Sequence, residues 1–255
     1  MTLELVSGVW RFWWVRGPLT EGRGWLEAAL RHAGAIPAVR AQALRAVSFI
    51  TRSQGDRATA RRAAEEARAV SASIGDRLGV ARALDVLGSA ASEDGELDEA
   101  SIYATQARDL YEELGDREGV AVTTANLGNI ALIQGDFVRA GRLAEESLEI
   151  HREHGHKEGM AASELNVGFA AMELGGLERA DASFSRALDL SRDLGHRELE
   201  FAALEALAAS AARGGRSDEA ATLLIGAEAL RQVGEFARER YEQRLYEGTK
   251  ALIDR

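Results

Sequence analysis

Three histidines, His151, His154 and His156, fall close together and are interleaved with Glu153 and Glu158. Imidazole and carboxylate are zinc donors, and residues three apart share a helix face, so metal binding is the first chemistry to weigh. A zinc site needs a full ligand set with fixed neighbours. His156 and His196 instead take the place held elsewhere by Asp76 and Asp116, which marks them as turn residues. Glu145 with Glu146 and Glu112 with Glu113 are helix-surface charges, not an acid–base pair flanking a pocket. No nucleophile sits on a strained strand-to-helix turn. Gly248-Thr249-Lys250-Ala251 lacks the spacing and hydroxyl of a phosphate-binding loop. The sequence reads as non-enzymatic, with no catalytic residue, metal or cofactor. Asn126 and Asn166 offer another chemistry. They stand 40 residues apart, and a carboxamide both donates and accepts, which suits clamping an extended peptide backbone.

That spacing of 40 belongs to the whole chain. Gly55, Gly95, Gly135, Gly175 and Gly215 recur with it, and Ala60, Ala100, Ala140, Ala180 and Ala220 follow each by five. A second series, Gly75, Gly115, Gly155 and Gly195, falls midway. Between these glycines the apolar residues recur with helical spacing, as in Leu84, Leu87, Gly88 and Ala91, then Ala100, Ala104, Ala107 and Tyr111. The glycines suit the left-handed position just past a helix end, and the acids after them (Asp56, Asp76, Glu96, Asp116, Asp136) suit the start of the next helix. Pro18 and Pro37 also stand where helices should begin. Each unit is therefore a helical hairpin, and a period this long marks stacked hairpins.

Composition agrees. Alanine, leucine, glutamate and arginine dominate, and only two prolines occur, as in an all-helical protein. A net charge of −10 opposes direct binding to nucleic acid, whose phosphates call for a basic stripe. There is no cysteine, hence no disulfide and no thiolate metal site. The longest apolar stretch, Val9 to Val15, is broken by Arg11, is too short to span a membrane and lacks the pattern of a secretory signal. The expectation is a cytoplasmic protein.

The series Leu87-Gly88…Ala91…Ala100…Ala107, Leu127-Gly128…Ala131…Ala140…Ser147 and Val167-Gly168…Ala171…Ala180…Ala187 resembles the tetratricopeptide repeat, whose usual unit is 34 residues. The resemblance implies an all-α fold, a tetratricopeptide-type α-α superhelix wound as a right-handed solenoid of hairpins. Five 40-residue repeats would fill 35–234, after a divergent aromatic-rich hairpin at 1–34 and before a capping helix at 235–255. In that family the first helix of each hairpin lines a concave groove. The register places Arg45, Phe49 and Arg52 there, then Asn126, Asn129 and Ile133, then Asn166, Phe169 and Met172. A protein or peptide ligand is the implied partner, with Phe169, Leu132 and Met172 supplying apolar contact. An equally open reading keeps these side chains structural. Asn126 and Asn166 would then bond to a neighbouring hairpin's backbone, and Arg45 and Arg52 would be solvated or would pair with Asp85 and Glu93.

All four tryptophans precede residue 26. Gly17, Gly22 and Ala29 repeat the glycine–alanine spacing with an offset of 38, and there Trp10 stands at the usual glycine site, so Trp10 is expected over Gly22. Apolar residues wrap the opening helix on all sides. Trp10, Trp13 and Trp14 are either a folded-back cap or an interface, for a homodimer or for docking to an NTPase domain. The segment Trp10 to Leu30 resembles the first repeat of the sensor region in bacterial signal-transduction NTPases of the LuxR and antibiotic-regulatory types, and Ala221 to Arg231 is similar to the end of that region. The resemblance implies a sensor or interaction module of a transcriptional regulator. Two other readings stand beside it: a structural module that self-associates through its first helix, and a sensor for a small-molecule effector. At the other end Phe236 to Ile253 is expected to form a last charged helix with Tyr241, Leu245 and Leu252 on one stripe.

Overall fold

A computed structural model describes residues 3–31, 36–238 and 240–254, so the expected boundary at 34–35 lies outside the described residues. Thirteen helices and no strand occur among them. They are α1 (Leu3–Arg16), α2 (Leu19–Arg31), α3 (Pro37–Ser53), α4 (Arg57–Ser73), α5 (Arg77–Asp94), α6 (Leu97–Leu114), α7 (Arg117–Gln134), α8 (Phe137–Glu153), α9 (Lys157–Glu173), α10 (Leu177–Leu194), α11 (Arg197–Arg213), α12 (Ser217–Gly234) and α13 (Arg240–Ile253).

The turn chemistry accounts for the boundaries. Gly95, Gly115 and Gly195 close their helices with φ of 85°, 71° and 62°, the left-handed region a side chain resists. Asp56, Asp76, Asp116 and Asp136 each accept from the backbone N–H three residues on, at 3.2, 2.8, 2.9 and 3.1 Å. These bonds satisfy amides that the first helical turn leaves free. Glu96 makes no such cap and accepts instead from Arg61 at 2.6 Å.

The chain forms two compact units, and the boundary falls within α7 between Asn126 and Leu127. The first unit holds α1 to α6, the start of α7 and residues 235–237. Inside it α3 packs on α4 and α5 on α6. The close approach is made at small residues: a side chain on Gly88 would stand 3.4 Å from the Ala100 carbonyl and 3.5 Å from Tyr103 Cβ. Residues 235–237 join this unit by hydrogen bonds. Ala237 N–H donates to the Ser53 carbonyl at 2.8 Å, and the Glu235 carboxylate accepts from Thr20 N–H at 2.9 Å. Phe236, expected in the last helix, is buried in this irregular stretch, and α13 begins only at Arg240.

The second unit holds the rest of α7 and α8 to α13. There α9 packs on α8 and α10, α11 on α12, and α13 mainly on α11. The notch recurs at Gly128, where a side chain would stand 3.3 Å from Leu143 Cβ, and at Gly168, which lies under the Phe184 ring.

Candidate functional site

In the first unit α3 presents Arg45, Phe49 and Arg52 at helical spacing. Arg52 is committed: its Nη1 donates to the buried Glu93 carboxylate at 3.0 Å. Phe49 is half-buried in an aromatic cluster, 5.4 Å from Trp10 and 5.8 Å from Trp14 between ring centroids. Arg45 differs. It makes no hydrogen bond or ion pair with the described residues, and its Nη1 is buried. Burial first, and the Arg82 guanidinium second, pull its pKa down.

Arg45 lacks the pairing that its 40-residue offset to Asp85 suggested. The Asp85 carboxyl is buried and taken by another side chain, since Tyr111 Oη donates to its Oδ2 at 2.7 Å. Its Oδ1 has no hydrogen-bond partner. Burial pushes Asp85 up to about 7, against the lowering influence of Tyr111 and of the nearby Asn126 carboxamide. Asn126 approaches Asp85 without reaching hydrogen-bond geometry and remains half-exposed.

In the second unit Asn129 and Ile133 on α7 and Asn166 on α9 are half-exposed. The carboxamides of Asn129 and Asn166 make no hydrogen bond with the described residues, so at Asn166 the alternative of a bond to neighbouring backbone is not realised among them. Phe169 and Met172 depart from expectation. Phe169 is 7% exposed and Met172 2%. Phe169 lies edge-on between Phe184 and Tyr241, at 5.1 and 5.3 Å. Tyr241, from α13, is held there by donating to Glu173 at 2.9 Å. Tyr241, reaching Phe169 and Glu173 from the last helix, is invisible to a repeat register, and both Phe169 and Met172 are buried.

The tryptophans also need correction. It is Trp13, not Trp10, that covers Gly22: a Cβ there would meet Trp13 Cβ at 2.7 Å. An indole is too large for a notch built for glycine. Trp10 therefore turns aside to stack on Trp14 at 5.7 Å and on Phe49, and Trp13, one turn later, settles over the gap. Trp13 is buried and Trp10 and Trp14 are half-buried. The exposed apolar face of α1 is made by Leu5, Val9 and Phe12, which the aromatic signal had hidden.

Two further polar clusters lie away from these helices' predicted positions. His151 is buried and pushed down to about 4, by burial first and by its histidine neighbours second. Its Nδ1 lies 3.3 Å from that of His156, and no group of three metal-ligating side chains forms among the described residues. Arg238 donates to Glu205 at 2.6 and 2.8 Å and to Glu228 at 2.9 Å, with its guanidinium 3.8 Å from the Tyr246 ring centroid. Beside them, α12 and α13 border an open cavity of about 490 Å³ lined by Leu224, Ile225, Tyr246 and Ile253. No helix among the described residues is long and apolar enough to cross a membrane.

Hairpins with glycine notches, capped turns and small-residue contacts invite comparison with known repeats. Residues 39–113, most of α3 to α6, match the model of the tetratricopeptide repeat family. Over those residues the chain is similar to tetratricopeptide repeats. Solved structures share this fold. BtubC (BKLC) from P. vanneervenii aligns over 94% of this chain and 95% of its own, at TM-score 0.59 and 18% identity. A Rap protein complexed with Competence and Sporulation Factor aligns over 92% and 68%, at 0.71 and 15%. A signal transduction ATPase with numerous domains from Pyrococcus horikoshii, which has a tetratricopeptide repeat sensor, aligns over 99% and 37%, at 0.67 and 18%. The chain thus spans little more than a third of that ATPase. No curated protein matches the sequence. Of the residues the sequence placed on the groove, Arg45 in the first unit and Asn129 and Asn166 in the second make no hydrogen bond with a described residue.

Proposed function

We propose that this protein is a non-enzymatic scaffold that binds a protein or peptide on the first helices of its hairpins, as the sensor or interaction module of a bacterial regulator. One observation carries the reading: half-exposed carboxamides on α7 and α9 have hydrogen-bonding capacity that no described residue consumes. Such groups match an extended backbone, which presents a donor and an acceptor at every residue. The Arg45 guanidinium is poised for an acidic side chain in the same way. The regulatory part rests on fold likeness to the ATPase's repeat sensor and to the Rap protein.

The test is calorimetric titration with peptides selected on the wild-type protein from a random library. Asn166→Ala and Asn129→Ala should each weaken binding roughly tenfold, about 1.4 kcal/mol, consistent with the loss of hydrogen bonds to a desolvated backbone. The variants should melt as wild type does, because both side chains are half-exposed. Unchanged affinity in both would contradict the proposal.

A further inference from the structure

The second helix of the first hairpin starts without the cap that later hairpins use. With the offset of 38 that aligns this hairpin, Pro18 stands where Asp56 opens α4 and accepts from Thr59 N–H. Neither Pro18 nor the preceding Gly17 has a side-chain acceptor, so the free amides in the first turn of α2 need an oxygen from elsewhere. It comes from Glu235. Its carboxylate accepts from Thr20 N–H at 2.9 Å and from Thr20 Oγ1 at 2.5 Å. Gln54 steadies that hydroxyl by donating to it at 3.1 Å, and Arg23 in turn donates to Gln54 and to Asp56.

The two residues after Glu235 complete the contact. Phe236 is 1% exposed. Ala237 N–H donates at 2.8 Å to the carbonyl of Ser53, the last residue of α3, and a side chain on Gly55 would stand 3.0 Å from Ala237 Cβ. A carboxylate on a helix N-terminus, a buried ring and a backbone bond to a helix C-terminus are the contacts of a short bound peptide. Among the described residues, 235–237 is the one stretch after Asn126 that belongs to the first unit. Its backbone does not favour this shape by itself. Glu235 takes a φ of 61°, a left-handed value that a side chain resists, and its bonds to Thr20 are exposed. The contacts hold the segment, not its own propensity.

We propose that the corner of α2 and α3 is a recognition site for a peptide segment in which an acidic residue precedes an aromatic one. Glu235 and Phe236 are its resident occupant, and a partner segment of the same chemistry displaces them. The occupant defines the ligand class. A carboxylate meets the uncapped amides of α2, an aromatic ring takes the place of Phe236, and the next N–H reaches the Ser53 carbonyl. The corner uses other residues than Arg45, Asn129 and Asn166, so it stands or falls independently of the reading above.

The probe is a labelled synthetic peptide, Val-Gly-Glu-Phe-Ala-Arg, titrated with the full chain and read by fluorescence anisotropy. The double variant Glu235→Ala with Phe236→Ala, checked for folding by circular dichroism, has its own segment disabled and should bind the peptide. Wild type should bind roughly tenfold more weakly or worse, because the resident segment competes. A peptide with alanine in place of phenylalanine should bind neither protein. Hydrogen–deuterium exchange of wild type needs no variant: a large excess of the peptide should speed exchange at Ala237, whose bond to Ser53 is then lost. The proposal is overturned if the folded double variant ignores the peptide or if the alanine peptide binds equally well. It is also overturned if the peptide leaves exchange at Ala237 of wild type unchanged.

Discussion

Asp85 and Arg45 sit at the same repeat position in successive hairpins, and the fold treats each differently. Asp85 loses water and gains one phenol, so its carboxyl keeps a proton up to about pH 7, against 3.8 in an unfolded chain. Between those values the folded protein binds the extra proton, so stability falls as pH rises, by about 1.4 kcal/mol per pH unit at most. Asp85→Asn should abolish that slope: the stability difference between variant and wild type, from urea melts, should grow in the variant's favour from pH 4 to pH 7 and then level. His151, held down near 4, contributes a slope of opposite sign between 4 and its ordinary value, but it is common to both proteins and cancels. A difference that stays flat with pH would mean Asp85 is ionised throughout. Arg238 is a sharper case. It closes on the buried Glu205, so Arg238→Ala should destabilise by roughly 3–5 kcal/mol in the same melts, because it strands that carboxylate. A loss under about 1 kcal/mol would show that Glu205 finds water. At this scale the sequence was partly legible. The offset found Arg52 with Glu93, a pair that needs only adjacent helices. It missed Arg45, because Tyr111 on α6 reaches Asp85 from outside the first-helix register.

Among the elements, the glycine and alanine series predicted helix ends and contact points to within a few residues, because both features arise from backbone geometry that recurs with the repeat. Ala100 is fully buried, and its carbonyl lies at the Gly88 notch. Ala100→Leu should therefore force α5 and α6 apart and cost about 1–3 kcal/mol, read as a lowered melting temperature with helix content retained. A variant melting as wild type would mean that the helices touch elsewhere. What the series could not predict is what happens when a bulky residue enters it. Trp10 at a glycine site displaces the contact to Trp13, and Tyr241 of α13 covers Phe169 although no repeat position announces it. Size and reach, not spacing, decided both.

For the whole molecule, net charge and the helical repeat set the class of partner more firmly than its identity. On the reading proposed above, a chain of charge −10 whose first helices carry carboxamides, and whose Arg45 makes no hydrogen bond or ion pair among the described residues, would suit polar backbone and selected acidic side chains better than nucleic acid. Hydrogen–deuterium exchange of the intact protein, with and without a selected peptide, tests this claim most directly. Binding on the first helices should slow exchange in α3, α5, α7 and α9 and leave α4, α6, α8 and α10 unchanged. Slowing confined to the second helices, or to α1 and α13, would contradict it.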